Sequence, residues 1–143
     1  MTSESIKQRV ATKALIARDN KILLIREAKK YEEGSRHGSY DFPGGRIEPG
    51  ESWKNGLLRE VREETSLTDI VIKEPITIDE WFPTIRNVPH HIVGLFIRCE
   101  APTGDVILSE EHDDFQWVTP NNLEKFTIHP QAKTVLKQFW HIA

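Results

Sequence analysis

The chain has 143 residues and a formal net charge of −3, which fits one domain with a sizeable core. We expect this domain to span residues 1–143, with residues 1–7 flexible. No apolar run approaches the length of a membrane span, and no basic stripe argues for duplex nucleic acid. The start lacks the features of a signal peptide, and the single cysteine, Cys99, cannot form an internal disulfide, so we expect a cytoplasmic setting.

The first half of the chain predicts a hairpin, a charged loop, a short strand and a helix. In order, these elements cover residues 9–18 and 21–26, 27–39, 40–42 and 53–65. The pair Asp19-Asn20 favours a tight turn between the first two strands. Ser52 is a preferred residue for the N-cap of the helix.

The second half predicts mostly strands, followed by two helices. The strands cover residues 69–74, 76–86, 90–99, 105–108 and 115–118, with Pro75 separating the first two. A short helix begins near Pro120, and a final amphipathic helix covers residues 130–141. Strands flanked by two main helices indicate an α/β fold in which a mixed sheet lies between helices.

The most informative stretch is the 23-residue segment 45–67, GRIEPGESWKNGLLREVREETSL. Glu60, Glu63 and Glu64 stand at i, i+3 and i+4, so a helix places them on one face. Like-charge pairs on a helix repel by roughly 0.2–0.5 kcal/mol each, and a divalent cation that prefers oxygen ligands is the natural way to offset this. The plainer alternative is a solvated helix with ion pairs such as Arg59–Glu63.

This segment resembles the signature of the Nudix hydrolase family: Gly, five residues, Glu, seven residues, Arg-Glu-apolar-any-Glu-Glu-any-Gly-apolar. The matching residues are Gly45, Glu51, Arg59, Glu60, Val61, Glu63, Glu64 and Leu67. One fixed position departs, because Ser66 stands where the family has Gly, and this puts the turn after the helix in question. The flanking segments 42–44 and 115–118 extend the resemblance to about residues 8–140.

The resemblance implies a Nudix-type α/β/α sandwich that hydrolyses a nucleoside diphosphate linked to another group. It also implies Mg²⁺ as the cofactor, with Mn²⁺ able to substitute. By resemblance, Glu63 and Glu64 are primary metal ligands, and the Gly44 carbonyl is an additional one. Glu60 is a further ligand or the residue that orients and deprotonates the attacking water.

Three more residues complete the predicted catalytic machinery. By resemblance, Arg59 and Glu51 form an ion pair that aims the catalytic carboxylates. Many relatives place one more acidic residue in a later loop, and Glu111 in the acidic segment 109–114 is the best candidate for that ligand or base. The alternative for Glu111 is an ordinary solvated loop. The six histidines show no spaced ligand pattern, and none is predicted to bind metal.

Candidates for substrate binding lie outside the signature. Trp81 and Phe82 could stack on a nucleobase, although core packing is the simpler interpretation. Arg26, Arg36 and Arg86 could contact phosphates, although an ordinary surface charge is the favoured interpretation of each.

The leading hypothesis is a MutT-like pyrophosphohydrolase that acts on a nucleoside triphosphate. One alternative is an ADP-ribose or nucleotide-sugar pyrophosphatase. Another, of a different class, is a non-catalytic nucleotide-sensing module, which should have lost carboxylates that this chain retains. In each case the partner is a small-molecule nucleotide, and a homodimer is left open.

Overall fold

The computed structural model describes residues 5–29 and 38–143. The strands in these residues are β1 (Lys7–Arg18), β2 (Lys21–Glu27), β3 (Tyr40–Asp41), β4 (Gly44–Arg46), β5 (Val71–Trp81), β6 (Thr84–Ile85), β7 (Val88–Glu100) and β8 (His112–Val118). The helices are α1 (Trp53–Thr65), a 3-10 turn (Leu123–Lys125) and α2 (Pro130–Trp140). None of the helices in the described residues is long and apolar enough to cross a membrane.

The strands form one mixed sheet with the central order β3-β2-β1-β7-β5. β1 and β7 pair in parallel from Lys7↔His90 to Ala17↔Glu100, and the other pairs are antiparallel. β1 and β2 pair only next to their hairpin turn and then diverge. Where β1 and β2 have diverged, β3 pairs with β2 and β4 pairs with β1. The short segment that contains β3 and β4 therefore lies in the middle of the sheet.

Each face of the sheet carries its own apolar core, because alternate residues of a strand point to opposite faces. One core includes Leu57 and Val61 of α1 together with Ala14 and Ile16 of β1. The other includes Val135 and Leu136 of α2 with Leu15 of β1. The predicted mixed sheet between helices is therefore confirmed.

The structure corrects the sequence prediction in four elements. The predicted strand over residues 105–108 is not a strand, because Val106 and Leu108 instead pack against the core beneath α1. β5 runs unbroken through Pro75, with register shifts on both sides of it. This is tolerated because β5 lies at the edge of the sheet. β4 was not predicted, and β1 already begins at Lys7, within the segment expected to be flexible.

The turn after α1 has the left-handed geometry that the resemblance implies, although a serine occupies it. Ser66 has φ 66°, and its N–H donates to the Arg62 carbonyl at 2.9 Å. Its hydroxyl also donates to the Ile107 carbonyl at 2.8 Å. This hydrogen bond ties the helix end to the following loop and partly offsets the strain of a side chain at positive φ.

Ser66→Ala and Ser66→Gly should separate these two contributions. Both variants lose the hydroxyl bond, and only Gly also relieves the left-handed strain. We therefore expect Ser66→Gly to be more stable than Ser66→Ala by about 1 kcal/mol. Relative to wild type, this gain is largely offset by the lost hydrogen bond, worth about 0.5–1.5 kcal/mol. Urea midpoints at unchanged slope measure the difference; an Ala variant as stable as the Gly variant would contradict it.

Candidate active site

α1 is placed by close packing against the loop that precedes it. The Ser52 hydroxyl accepts from the Asn55 N–H at 3.1 Å and caps the helix. A Cβ at Gly56 would lie 2.4 Å from the Ile47 side chain, so only glycine allows this approach. The tight contact brings Glu51, which ends the loop, next to the second turn of the helix.

Arg59 stands at the centre of an ion-pair network. Its Nε and Nη2 donate to the two oxygens of Glu51 at 2.7 and 3.0 Å, the two-pronged geometry that favours arginine over lysine. Its Nη1 donates to Glu60 at 3.1 Å and to Glu63 at 3.2 Å. The hydrogen bond from Arg59 is the main reason that the pKa of Glu51 falls to about 2. The predicted Arg59–Glu51 pair is present.

Two glycines in β4 let its backbone approach the acidic face of α1. The Gly44 N–H donates to Glu64 Oε1 at 2.7 Å. Gly44 has φ 139°, and a Cβ there would lie 2.0 Å from the Thr12 carbonyl oxygen. A Cβ at Gly45 would lie 2.8 Å from the Glu60 carboxyl group. β4 therefore contributes backbone groups where a side chain has no room.

The three carboxylates of the α1 face differ in depth. Glu64 is only 7% exposed, and burial raises its pKa well above the ordinary 4.5. Burial also raises the pKa of Glu60. The Glu63 side chain is 55% exposed and lies at the rim. The expected repulsion is thus partly offset within the protein, by Arg59 at Glu60 and Glu63 and by the Gly44 N–H at Glu64.

The loop before β8 is joined to the end of α1 by backbone hydrogen bonds. The N–H groups of Ile107 and Ser109 donate to the carbonyls of Thr65 and Glu64 at 2.9 and 3.3 Å. These bonds satisfy carbonyls that have no partner within the helix. They also bring Glu111, whose pKa is raised by burial, to the acidic face of α1.

His112, which the sequence analysis passed over, also reaches this face. Its Nε2 lies 3.8 Å from Glu64 Oε2, and ligand atoms of Glu64, Glu111 and His112 all lie within 4.8 Å of one another. Burial lowers the pKa of His112 to about 4, so the ring is neutral at pH 7 and the contact is not an ion pair. A lone histidine in an acidic loop carries no spacing pattern, so periodicity could not reveal it.

These groups enclose one cleft of about 370 Å³. Its lining residues are Gly44, Gly45, Arg46, Glu48, Arg59, Glu60, Glu63, Glu64, Ser109 and Glu111. Six of the site residues predicted from the sequence therefore line this cleft. Glu51 does not line it and is connected to it through its hydrogen bonds with Arg59. A donor set of several carboxylates fits a hard divalent cation.

A model of the NUDIX domain matches residues 7–139. The chain belongs to the Nudix family. It is 28% identical over 139 residues to a protein of Escherichia fergusonii named nucleoside triphosphatase NudI, and the match covers 92% of this chain and 96% of that one. A protein of the same name from Klebsiella pneumoniae is 27% identical over 140 residues, with 93% and 97% covered.

Solved structures agree with this assignment. The MutT protein of Methanosarcina mazei superposes with a TM-score of 0.81 at 26% identity, covering 95% of each chain. The Ap4A hydrolase of C. elegans superposes with a TM-score of 0.70 at 21% identity, covering 93% and 96%, a likeness of fold alone. The protein is a Nudix hydrolase with the family's α/β/α sandwich, and Nudix hydrolases use divalent metal ions.

Arg26 and Arg86, the two predicted phosphate-contacting arginines within the described residues, do not line the Nudix cleft. Arg26 Nε donates to Asp113 at 2.7 Å, and its guanidinium lies over the Tyr40 ring. Arg86 lies at φ 50° in the turn between β6 and β7. Arg36 falls outside the described residues.

The two predicted aromatic residues have different surroundings. Trp81 packs against the core beneath α2, and a Cβ on Gly94 would lie 2.4 Å from its ring. Phe82 is 70% exposed and stacks on His91, with ring centroids 4.6 Å apart. Neither residue lines the Nudix cleft, and only Phe82 presents an open aromatic face.

Proposed function

We propose that this Nudix hydrolase is a MutT-like, Mg²⁺-dependent pyrophosphohydrolase that converts a nucleoside triphosphate to a nucleoside monophosphate and pyrophosphate, with Mn²⁺ able to replace Mg²⁺. The observation that carries the proposal is the convergence of Glu60, Glu63, Glu64 and Glu111 on one cleft. Relatives named nucleoside triphosphatase, matched over nearly their whole length, support the choice of substrate.

The proposed metal ligands are Glu63, Glu64, Glu111 and the Gly44 carbonyl, with Glu60 available as a further ligand. A bound Mg²⁺ would neutralise phosphate oxygens and lower the pKa of a coordinated water. The protein's part is to hold the ligands in place. The Gly44 N–H fixes one oxygen of Glu64, and burial leaves that carboxylate in need of a positive partner.

Glu60 is the proposed base. Burial raises its pKa, which moves the carboxylate towards the range where it accepts a proton efficiently at neutral pH. As the water oxygen bonds to phosphorus, its proton passes to Glu60. The anhydride P–O bond then breaks, and pyrophosphate leaves. Arg59 positions the carboxylates of Glu60 and Glu63 through hydrogen bonds, and Glu51 fixes the orientation of Arg59.

Substrate recognition is proposed to involve residues beyond the cleft. The exposed ring of Phe82 offers an aromatic surface for the nucleobase, and Trp81, packed against the core, would contribute only its ring edge. Arg26, Arg36 and Arg86 are the proposed phosphate contacts, of which Arg26 is already paired with Asp113.

A phosphate-release screen tests the proposal. The purified protein with Mg²⁺ or Mn²⁺ would be given nucleoside triphosphates, ADP-ribose and nucleoside diphosphate sugars, with pyrophosphate and monophosphate products resolved by chromatography. We expect pyrophosphate from a triphosphate. Turnover of ADP-ribose or a nucleotide sugar alone would favour the alternative enzyme, and no turnover of any substrate would favour a sensing module.

Metal binding should stabilise the fold measurably. Because a ligand that binds only the native state stabilises it by mass action, millimolar Mg²⁺ or Mn²⁺ should raise the melting temperature. At a metal concentration of a hundred times Kd, the gain is about 2.7 kcal/mol. Glu64→Gln should blunt the rise. A melting curve unaffected by either ion, with nucleotide product present, would contradict the metal dependence.

A further inference from the structure

The geometry points to His112 as a nitrogen ligand in the metal site, one that biases the site towards transition ions such as Co²⁺ relative to Mg²⁺. This inference rests on the proposed function in one respect, that the cleft binds a divalent cation. It concerns a residue outside the Nudix signature, which ends at Leu67.

The distance from His112 to Glu64 suits a shared ion. In octahedral coordination at about 2.1 Å, neighbouring ligands are about 3.0 Å apart and opposite ligands about 4.2 Å apart. The 3.8 Å between His112 Nε2 and Glu64 Oε2 falls between these limits. Small side-chain rotations are therefore enough for one cation to contact both atoms. Glu111, within 4.8 Å of both, needs only a small side-chain rotation to join them.

The fold holds this imidazole where it is. A turn links the His112 N–H to the Ser109 carbonyl at 3.2 Å, and β8 begins at His112, which pairs with Glu27 of β2. The imidazole is thus anchored by its backbone beside Glu64 rather than placed by a flexible loop. Its position beside Glu64 is a consequence of strand register.

Two polar atoms of this turn lack hydrogen-bond partners among the described residues. His112 Nδ1 and the Ser109 hydroxyl oxygen are both buried and accept or donate no hydrogen bond. Buried polar groups are normally satisfied, so Nδ1 requires an acceptor once a cation on Nε2 fixes the ring proton at Nδ1. Metal-bound histidines commonly donate their second ring N–H to a neighbouring oxygen, and the Ser109 hydroxyl of the same turn is the candidate acceptor.

The donor set determines which ion is favoured. Carboxylate and carbonyl oxygens suit Mg²⁺, whereas imidazole nitrogen suits later first-row ions. Glu64, Glu111 and His112 together supply two oxygens and one nitrogen. Removal of the nitrogen should therefore weaken Co²⁺ binding much more than Mg²⁺ binding.

Titration calorimetry with Co²⁺ and with Mg²⁺ tests this on wild type, His112→Gln and His112→Asn. We expect the Co²⁺ affinity of both variants to fall roughly ten- to a hundredfold, with the Mg²⁺ affinity nearly unchanged. His91→Gln is the matched control, because His91 lies away from the cleft beside Phe82 and should leave both affinities unchanged. Circular dichroism checks that each variant is folded.

Proton NMR of the Co²⁺-loaded wild-type protein gives a readout that needs no variant. Direct coordination by His112 should give a strongly shifted, exchangeable imidazole N–H signal that is lost in His112→Gln. Equal losses of Co²⁺ and Mg²⁺ affinity, or the absence of such a signal, would overturn the inference while leaving the metal-dependent hydrolase intact. A wild-type protein that binds neither ion would instead overturn the proposed function.

Discussion

Glu64→Gln should lower kcat by roughly a hundredfold or more, a loss typical of removing a charged group that acts on the transition state. Glu64 is the deepest carboxylate of the cleft and the only one held by a backbone N–H of β4. A glutamine oxygen can still accept that hydrogen bond, so the change removes charge while keeping shape. Steady-state kinetics on the identified substrate measure the effect; near wild-type turnover would remove Glu64 from the mechanism.

The same variant should be more stable than wild type when no metal is present. Because burial raises the pKa of Glu64 in the folded state, the folded protein binds more protons than the unfolded chain above pH 4.5. The contribution of Glu64 to stability is therefore fully present below that pH and is lost as pH rises through the folded pKa. Glutamine does not titrate, so the advantage of Glu64→Gln should grow with pH in urea denaturation under EDTA.

Glu63→Gln is the matched control for this argument. It removes the same charge from the same helix face, but Glu63 is half exposed and paired with Arg59. We expect a comparable loss of kcat, because Glu63 is also a proposed ligand, with little change in the stability of the metal-free protein. A stability gain as large as that of Glu64→Gln would show that general charge repulsion, and not burial, is responsible.

Gly44→Ala should destabilise the protein by about 3 kcal/mol or more, one of the largest effects available to a single methyl group. The added Cβ would lie 2.0 Å from the Thr12 carbonyl oxygen and 2.9 Å from Lys13 Cα, and both are backbone atoms of the central strand β1. The backbone at Gly44 would also have to hold an L-residue at φ 139°. Chemical denaturation, or loss of soluble protein, measures the effect.

Gly50→Ala separates clash from backbone strain. Gly50 also has positive φ, at 84°, but no heavy atom lies within 4 Å of the position of its Cβ. We expect a loss of about 1 kcal/mol from strain alone. Equal losses at the two glycines would mean that β4 can move away from β1, contrary to the close packing inferred for the site.

Helix α1 and its chemistry were readable from the sequence because their signals are local. The Ser52 cap and the spacing of the carboxylates defined α1 from Trp53 to Thr65, as the structure has it. The Arg59–Glu51 pair, which lies within one helix and its approach loop, was implied by the resemblance to the Nudix signature. In each case neighbouring residues along the chain determine the geometry.

Features that depend on distant parts of the chain were missed. β4 is a strand only because β1 and β2 diverge and leave edges to pair, while its own glycines disfavour extended structure. The segment with Val106 and Leu108 has an apolar pattern typical of a strand, yet it packs over the end of α1. The position of His112 beside Glu64 depends on how β8 pairs with β2, and the spacing of residues along the sequence does not indicate that pairing.

The parallel pairing of β1 with β7 also governs how the chain can fold. Eleven consecutive residue pairs join positions about 83 residues apart, so the central strand finds its main partner only after most of the chain has been made. Closing so long a loop before any contact compensates for it slows folding. A chain that ends before Val88 lacks β7 and leaves this edge of β1 unpaired, so newly made molecules expose it until β7 has been synthesised.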